Sequence, residues 1–279
     1  MMYGLGFGAF RHAMIGSLGS GGGAPLLLDT YSGGILGLSC ARQLSASATN
    51  CITVRRSSDN TEQIIGFVGG VMDTASLLTF VGVGNGYVSK VWAQIGSNHA
   101  IQSTLVNQPT IVSSGSLITK GGVPSMLFSG TGNKGFLNIT DINLNTGDFS
   151  FFMTYNRATG NGNNGVLLYQ SATEYLWLDY SPSQLIGNNS FDGIPTTSGT
   201  NYIASVVCDE DVQMRFSYNS TNTVLKTGTT ASACRIDTWI GNNLRNDNIY
   251  SSEISIFNVN NISNRTAIET NLNTYYGFY

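Results

Sequence analysis

From Pro124 onwards, hydrophobic and polar positions alternate in short runs, and clusters of Gly, Asn, Ser and Asp separate the runs. The run from Val212 to Tyr218 alternates cleanly, so it predicts a strand with one buried and one solvent-facing side. Many short strands with such spacers are typical of an antiparallel β-sandwich. The predicted strands are Ser125–Phe128, Phe136–Ile139, Phe149–Tyr155, Val166–Gln170, Tyr175–Tyr180, Tyr202–Val207, Val212–Tyr218, Ile236–Gly241 and Ile254–Val259.

The N-terminal part of the chain mixes strand and helix patterns. Cys51–Arg56 and Tyr87–Ala93 alternate as strands do, and Ser39–Ser45 predicts a helical turn. Asp73 stands where an N-cap is expected, because its carboxylate can accept hydrogen bonds from the amides of the first turn. Gly82 is expected to end that helix.

A last helix is predicted near Ser263. Ile268 and Leu272 lie four residues apart there and therefore share one face, and Gly277 is expected to end the helix. The pattern as a whole predicts an all-β protein, an antiparallel β-sandwich with a few short peripheral helices.

The first 25 residues differ from the rest in composition. Glycines alternate with apolar residues, and the segment ends in Ser-Gly-Gly-Gly-Ala-Pro, which is typical of a linker. We predict that residues 1–25 form a Gly-rich anchor or linker and that residues 26–279 form one sandwich domain. The apolar side chains of Leu5, Phe7 and Phe10 are the predicted assembly anchor, and a flexible tail is the alternative.

Charge is scarce along this chain. Only 10% of the residues are charged, while 41% are hydrophobic, and the formal net charge is −3. A surface with so few charges has little electrostatic defence against self-association, so we expect a homo-oligomer, with a trimer as the first choice. Nucleic-acid binding requires a basic face, which the sequence lacks, and no apolar run approaches the roughly 20 residues of a membrane span.

The metal-binding residue types show no ligand pattern. Cys40, Cys51, Cys208 and Cys234 lack the spacing of zinc ligands, and we interpret them as buried thiols, with a bond between the first two left open. Of the two histidines, His99 is interpreted as a structural loop residue. We predict neither a metal nor a cofactor.

One stretch carries a family resemblance. Residues 38–102 include CITVRRSSDNTEQIIGF and MDTASLLTFVGVGNGYVSKVWAQIGSNHAIQ. This stretch resembles the catalytic domain of fungal-type α-L-arabinofuranosidase B and, more closely, a group of tailed-phage virion proteins. The C-terminal run YSSEISIFNVNNISNRTAIETNLNTYYGF resembles the last strand and helix of concanavalin-like sandwiches. The resemblance implies a concanavalin-like jelly roll with a sugar-handling surface.

The resemblance also implies where catalytic carboxylates would stand. The arabinofuranosidase nucleophile lies in a Val-Asp-Met-Glu strand, and the matching Leu-Asp-Tyr-Ser run places Ser181 at the glutamate. The acid lies in an Ile-Gly-Gly-Asp-Asn stretch, where this chain has Asn242 and Asn243. An amide cannot donate the proton, and serine without a base is a poor nucleophile. We therefore expect no catalytic residues and no enzyme activity.

The same two segments supply a candidate carbohydrate site. Sugars pack their C–H faces on aromatic rings and bond their hydroxyl groups to amides or carboxylates. The candidate residues are Trp177, Asp179, Tyr180, Trp239, Asn242 and Asn243. The alternative is that the two tryptophans fill the sandwich core.

The expected function is that of a bacteriophage virion structural protein: a head fibre, decoration or tail-associated component. It would be made in the host bacterial cytoplasm and located in the virion, with other virion proteins and host-surface glycan as partners. The alternative is a divergent glycoside hydrolase of the arabinofuranosidase type that acts on host polysaccharide. It would use Asp179 together with Asp192 or Asp247.

Overall fold

The structure, a computed structural model, describes residues 26–130, 135–140, 142–144, 147–158, 165–171, 174–178, 183–186, 189–192, 197–209, 212–220, 222–227, 235–236, 239–241 and 248–279. For the strands between residues 165 and 192, for 222–227, for 235–236 and for Trp239, the description is of the backbone. The predicted N-terminal anchor, Leu5, Phe7 and Phe10, lies outside the described residues.

Short strands dominate the described chain. The strands of the first half are β1 (Gly34–Ser39), β2 (Asn50–Arg56), β3 (Glu62–Val68), β4 (Val71–Met72), β5 (Gly86–Val91), β6 (Ala100–Ile101), β7 (Thr110–Ser113), β8 (Ser116–Leu117), β9 (Thr119–Lys120), β10 (Val123–Pro124), β11 (Met126–Phe128) and β12 (Phe136–Asn138). Those of the second half are β13 (Ile142–Asn143), β14 (Phe149–Arg157), β15 (Gly165–Ser171), β16 (Glu174–Leu178), β17 (Ser183–Ile186), β18 (Asn189–Asp192), β19 (Asn201–Asp209), β20 (Gln213–Tyr218), β21 (Asn222–Thr227), β22 (Arg235–Ile236), β23 (Trp239–Gly241), β24 (Ile249–Ser251) and β25 (Glu253–Phe257).

The helices are short and lie between strands or at the end of the chain. They are α1 (Leu27–Thr30), α2 (Thr74–Val81) and α3 (Arg265–Tyr276), with a 3-10 turn at Leu105–Asn107. Asp73 caps α2 as predicted, since its carboxylate accepts the Ser76 N–H at 3.0 Å. Gly277 follows α3 in the left-handed conformation at φ 61°, which glycine adopts without steric cost.

Antiparallel pairing connects the described strands into one large sheet that folds back on itself. Strands β1, β25, β14, β19, β20 and β21 lie side by side in that order. The end of β14 also pairs with β24, and the sheet continues through β11, β7, β5 and β2 to β3. From β5 a further series runs through β6, β12, β23, β15, β16 and β17 to β18.

The core lies where the two parts of this sheet face each other. Phe151 and Met153 of β14 share one buried cluster with Ile52 and Val54 of β2. Successive side chains of a strand point to opposite faces, and Phe152 accordingly belongs to a second cluster on the other side of β14. All nine residues of β14 are buried.

The second cluster is completed by the helices. Ile268 and Leu272 of α3, the pair predicted to share a face, pack with Phe152 and with Leu27 of α1. Helices α1 and α3 therefore lie outside the two facing sheet layers, whereas Leu77 and Val81 of α2 belong to the first cluster. The predicted fold class, an all-β antiparallel sandwich with a few short peripheral helices, is confirmed.

The helical turn predicted at Ser39–Ser45 is wrong. Ser39 ends β1, and Arg42 forms an isolated antiparallel bridge with Val71. The Ser39 hydroxyl accepts the N–H groups of Ala41 and Arg42, at 3.1 and 3.0 Å. A serine side chain that bonds to nearby backbone amides offers them an alternative to helical hydrogen bonds.

A buried ion pair joins the segment after β1 to β25 and α3. The Arg42 guanidinium donates to the two carboxylate oxygens of Glu253 at 2.7 and 2.9 Å, and the Tyr276 hydroxyl donates to the same carboxylate at 2.8 Å. Asn271 accepts a further hydrogen bond from Arg42. Burial alone would lower the pKa of Arg42, but the charge and hydrogen bonds of Glu253 raise it well above its ordinary value.

We predict that replacing one member of this pair is costly, because the other is left as an uncompensated buried charge. Glu253→Gln and Arg42→Met should each lower the free energy of unfolding by about 3–5 kcal/mol, measured by urea denaturation. The double variant Arg42→Met/Glu253→Leu should recover much of that loss. The control is Arg56→Met, which breaks the exposed 2.6 Å pair with Asp59 and should leave the midpoint nearly unchanged. Equal effects of the buried and exposed variants would contradict this account.

Candidate functional site

The predicted carbohydrate site falls mostly outside the described residues. Trp177 lies in β16 and Trp239 begins β23, and the structure describes the backbone of both. Asp179, Tyr180, Asn242 and Asn243 lie outside the described residues, as does Ser181. The structure therefore locates the strands that lead into the predicted site.

Strands β16 and β23 both end next to the start of β15. Strand β15 pairs with β16 on one side and with β23 on the other, and both pairings are antiparallel. Leu178, the last residue of β16, lies opposite Gly165, and Ile240 lies opposite Leu168. Because β16 and β23 run in the same direction on the two sides of β15, they are about 10 Å apart, which is two strand spacings. The segments that follow β16 and β23 therefore start from the same end of these strands, which is called the sheet edge below.

A groove of about 510 Å³ lies on the face of the sheet formed by β3, β2, β5 and β6. One register row crosses this face: Thr53 lies opposite both Ile64 and Lys90, and Lys90 lies opposite Ile101. Directly opposite residues share a face of the sheet. The exposed fractions of Ile64 and Ile101 are 49% and 44%, so this row faces solvent and not the core. Sequence reasoning missed the groove, because its members come from separate segments.

Trp92 is the aromatic group of this groove. Its indole N–H donates to the Thr53 hydroxyl at 3.0 Å, and the Lys90 ammonium lies 3.8 Å from the centre of its ring. The His99 ring lies 4.8 Å away at a tilt of 59°. These contacts fix the orientation of the half-buried indole at one side of the groove.

His99 has a structural contact of its own. Its Nδ1 accepts the Ala93 N–H at 3.0 Å, which shapes the loop between β5 and β6. Partial burial lowers the pKa of His99, and the positive charge of Lys90 lowers it further. The imidazole is therefore neutral over a wider pH range than an ordinary histidine.

The groove does not supply a catalytic pair by itself. Glu62 is its one acidic residue among the described lining residues, whereas a glycosidase needs two carboxyl groups. Glu253 and Glu269 are buried and held by Arg42 and Arg265, so both act in the fold. Within the described part of the chain, no group of three or more metal-ligating side chains occurs.

Three of the cysteines are buried, Cys40, Cys51 and Cys208, while Cys234 lies outside the described residues. Cys40 and Cys51 are free thiols. Burial raises the pKa of Cys40 to about 12 and that of Cys51 well above its ordinary value. The thiolate is the reactive form, so these side chains are poor nucleophiles. None of the described helices is long and apolar enough to cross a membrane.

Comparison with known proteins gives structural matches only. No family model and no curated protein matches the sequence. Three solved structures of arabinofuranosidases are among those that match the fold. One is a Glu-to-Gln mutant from glycoside hydrolase family 54 soaked with 4-nitrophenyl α-L-arabinofuranoside, at 15% identity and a TM-score of 0.62 over 86% of this chain and 62% of that one. Another family 54 enzyme, soaked with a cyclic sulfate inhibitor, matches at 17% identity and a TM-score of 0.58 over 85% and 62%. The third, complexed with arabinofuranosyl-α-1,2-xylobiose, matches at 15% and 0.59 over 85% and 61%.

These matches establish the fold of this chain as similar to that of a β-sandwich glycosidase. The chain spans about six tenths of the length of the arabinofuranosidases that it matches. The likeness agrees with the resemblance to arabinofuranosidase noted in residues 38–102, and it gives no support to a phage virion origin.

The expectation that the chain is not an enzyme is wrong. It rested on Ser181 and on Asn242 and Asn243 in place of carboxylates, whereas the solved structures that share this fold over most of the chain are glycoside hydrolases. The error has a physical reason. A match of four residues does not fix which side chains are equivalent, because register depends on pairing with distant segments, and Ser181, Asn242 and Asn243 lie outside the described residues.

We predict that the buried thiols resist alkylation in the folded protein. At about pH 8 an ordinary cysteine is partly ionised, but Cys40 and Cys51 should remain unmodified by iodoacetamide, because burial disfavours their thiolates. Peptide mass spectrometry before and after unfolding in urea measures this. Both should be modified after unfolding, and rapid modification of Cys40 in the native protein would contradict the prediction.

Proposed function

We propose that this protein is a divergent glycoside hydrolase of the arabinofuranosidase type that acts on polysaccharide. The observation that carries the proposal is the fold, which the chain shares over 86% of its length with an α-L-arabinofuranosidase at a TM-score of 0.62. Fold alone does not give activity, so the proposal depends on the residues at the sheet edge described above.

Three aspartates are candidates for the catalytic pair. Asp179 follows the last residue of β16, and Asp247 lies in the segment between β23 and β24. Asp192 ends β18, opposite Ser183 of β17. Strands β16 and β18 run in the same direction on the two sides of β17, so the end of β18 at Asp192 lies about 10 Å, or two strand spacings, from the end of β16 at Leu178. An inverting enzyme separates its carboxyl groups by about 6.5–9.5 Å and a retaining one by about 5–5.5 Å, so the proposal requires the carboxyl group of Asp179 to come within that range of its partner.

We predict that the purified protein hydrolyses 4-nitrophenyl α-L-arabinofuranoside and that Asp179→Asn reduces kcat by about 10²–10⁴-fold, as loss of an acid–base group or nucleophile does. Asp192→Asn and Asp247→Asn identify the second carboxyl group, because only one of them should show a comparable loss. The control is Asp73→Asn, since asparagine is an equally good N-cap and α2 is distant from the sheet edge in sequence.

Two outcomes would contradict different parts of the proposal. If the folded wild-type protein cleaves neither this arabinofuranoside nor arabinan, arabinoxylan or bacterial capsule polysaccharides, the hydrolase proposal fails. If the wild type is active and all three aspartate variants retain full activity, the assignment of the residues fails and the activity stands.

That the protein is a component of a phage particle is a separate proposal. The resemblance of residues 38–102 to tailed-phage virion proteins and the low charged fraction, 10%, support a virion component that contacts other virion proteins and host-surface glycan. Mass spectrometry of purified particles tests it through presence and copy number, and absence from particles would refute it.

We further predict a homo-oligomer, with a trimer first, that depends on residues 1–25. Exposing Leu5, Phe7 and Phe10 would cost about 1.5–3 kcal/mol each relative to full burial, so contact between copies should bury them. Light scattering should give a trimer mass for the full chain and a monomer mass for the chain without residues 1–25, with unchanged circular dichroism. A truncated chain that is still trimeric would contradict the anchor.

A further inference from the structure

The groove on the face of β3, β2, β5 and β6, called the Trp92 groove here, has features that suit ligand binding. Ile64 and Ile101 expose two large apolar side chains on either side of Thr53 and Lys90, and a half-buried indole adjoins them. A volume of about 510 Å³ is within the range of small-molecule sites. Apolar surface beside polar groups is what a sugar ring needs, because it has C–H faces and hydroxyl edges.

The charges of the groove favour a neutral ligand. Among the described residues, no carboxylate lies within ion-pair distance of the Lys90 ammonium. The ammonium lies over the Trp92 ring instead. Glu62 lies two residues from Ile64 on β3, so its Cα is about 12 Å from that of Lys90 by strand geometry. One donor cation and one acceptor carboxylate, separated by this distance, suit a polyhydroxylated chain better than an anionic one.

The register row continues toward the sheet edge of the proposed active site. Ile101 lies opposite Asn138 of β12, and Asn138 lies opposite Trp239 of β23. Lys90 and Trp239 are thus three strand spacings apart, about 14 Å. A ligand that reached both positions would contain several sugar units.

We propose that the Trp92 groove is an accessory subsite that binds a neutral polysaccharide chain whose other end reaches the edge beyond β23. This inference rests on the proposed function for the direction of the chain. Lys90 donates hydrogen bonds to sugar hydroxyl groups, and Ile101 contacts the apolar face of a ring. Preference for polymer over small glycosides follows, because only a polymer reaches the groove and the edge together.

Native affinity electrophoresis in gels that contain soluble arabinoxylan tests the subsite, with polygalacturonate as the anionic comparison. Lys90→Met keeps the aliphatic stem but removes the donors, and Ile101→Glu places a charge on the exposed apolar wall. Lys90→Met should weaken arabinoxylan binding by about tenfold, as expected for the loss of a hydrogen bond from a charged group. Ile101→Glu should also weaken it, because a carboxylate loses its hydration when a sugar ring covers it.

Matched controls separate the groove from general surface effects. Lys120→Met removes an ammonium that lies 3.7 Å from the centre of the Tyr250 ring, outside the groove, and Val212→Glu changes an apolar residue that is 55% exposed elsewhere. Both should bind arabinoxylan as the wild type does. Thermal unfolding confirms that each variant is folded.

The outcomes separate this inference from the hydrolase proposal. Binding that is unchanged in both groove variants overturns the subsite even if 4-nitrophenyl α-L-arabinofuranoside is hydrolysed. So does a wild type that binds polygalacturonate but not arabinoxylan, or neither polymer. Weakened binding in the two groove variants supports the subsite even if the protein hydrolyses nothing, in which case only the hydrolase proposal fails.

Discussion

Strand β14 must be buried on both of its faces, and the rest of the fold depends on this constraint. Phe151 and Met153 pack into the core between the two sheet layers, while Phe152 packs against Ile268 and Leu272 of α3. In this fold the facing sheet layer covers one face of β14, and α1 and α3 cover the other. Helix α3 is therefore required to bury the second face of β14.

Two buried ion pairs among the described residues join segments of the chain. Arg42 and Glu253 bring the segment after β1 to β25, and Tyr276 connects both to the end of α3. Arg265 and Glu269 join α3 to β19, since Glu269 also accepts the Ser205 hydroxyl. A buried charge is tolerated when it is paired and hydrogen-bonded. These four charged side chains therefore serve the fold, in contrast to Lys90 and Glu62, which line the groove on the outer sheet face.

Two features of the outer sheet face point to the same chemistry. The ends of β16 and β23 flank β15, and a register row leads from the neighbouring β23 across to Lys90 and Ile101. The row thus connects the groove to the end of β23. Trp92 is the aromatic group that lines the groove. An extended glycan fits this surface better than a compact ligand, because the two ends of the row are about 14 Å apart.

The sequence by itself determined the local features. The alternation from Val212 to Tyr218 gave β20 to within one residue, and the cap at Asp73 and the pair Ile268 and Leu272 were identified correctly. These signals lie within a few neighbouring residues, so they can be detected without knowing what packs against them. Tertiary structure decided what depends on pairing between distant segments. Register placed Thr53, Lys90 and Ile101 in one row, although 48 residues separate the first from the last. The failed inference about lost catalysis has a related origin: a match of four-residue runs carries no information about pairing with distant segments, so it could not decide which side chain takes which place.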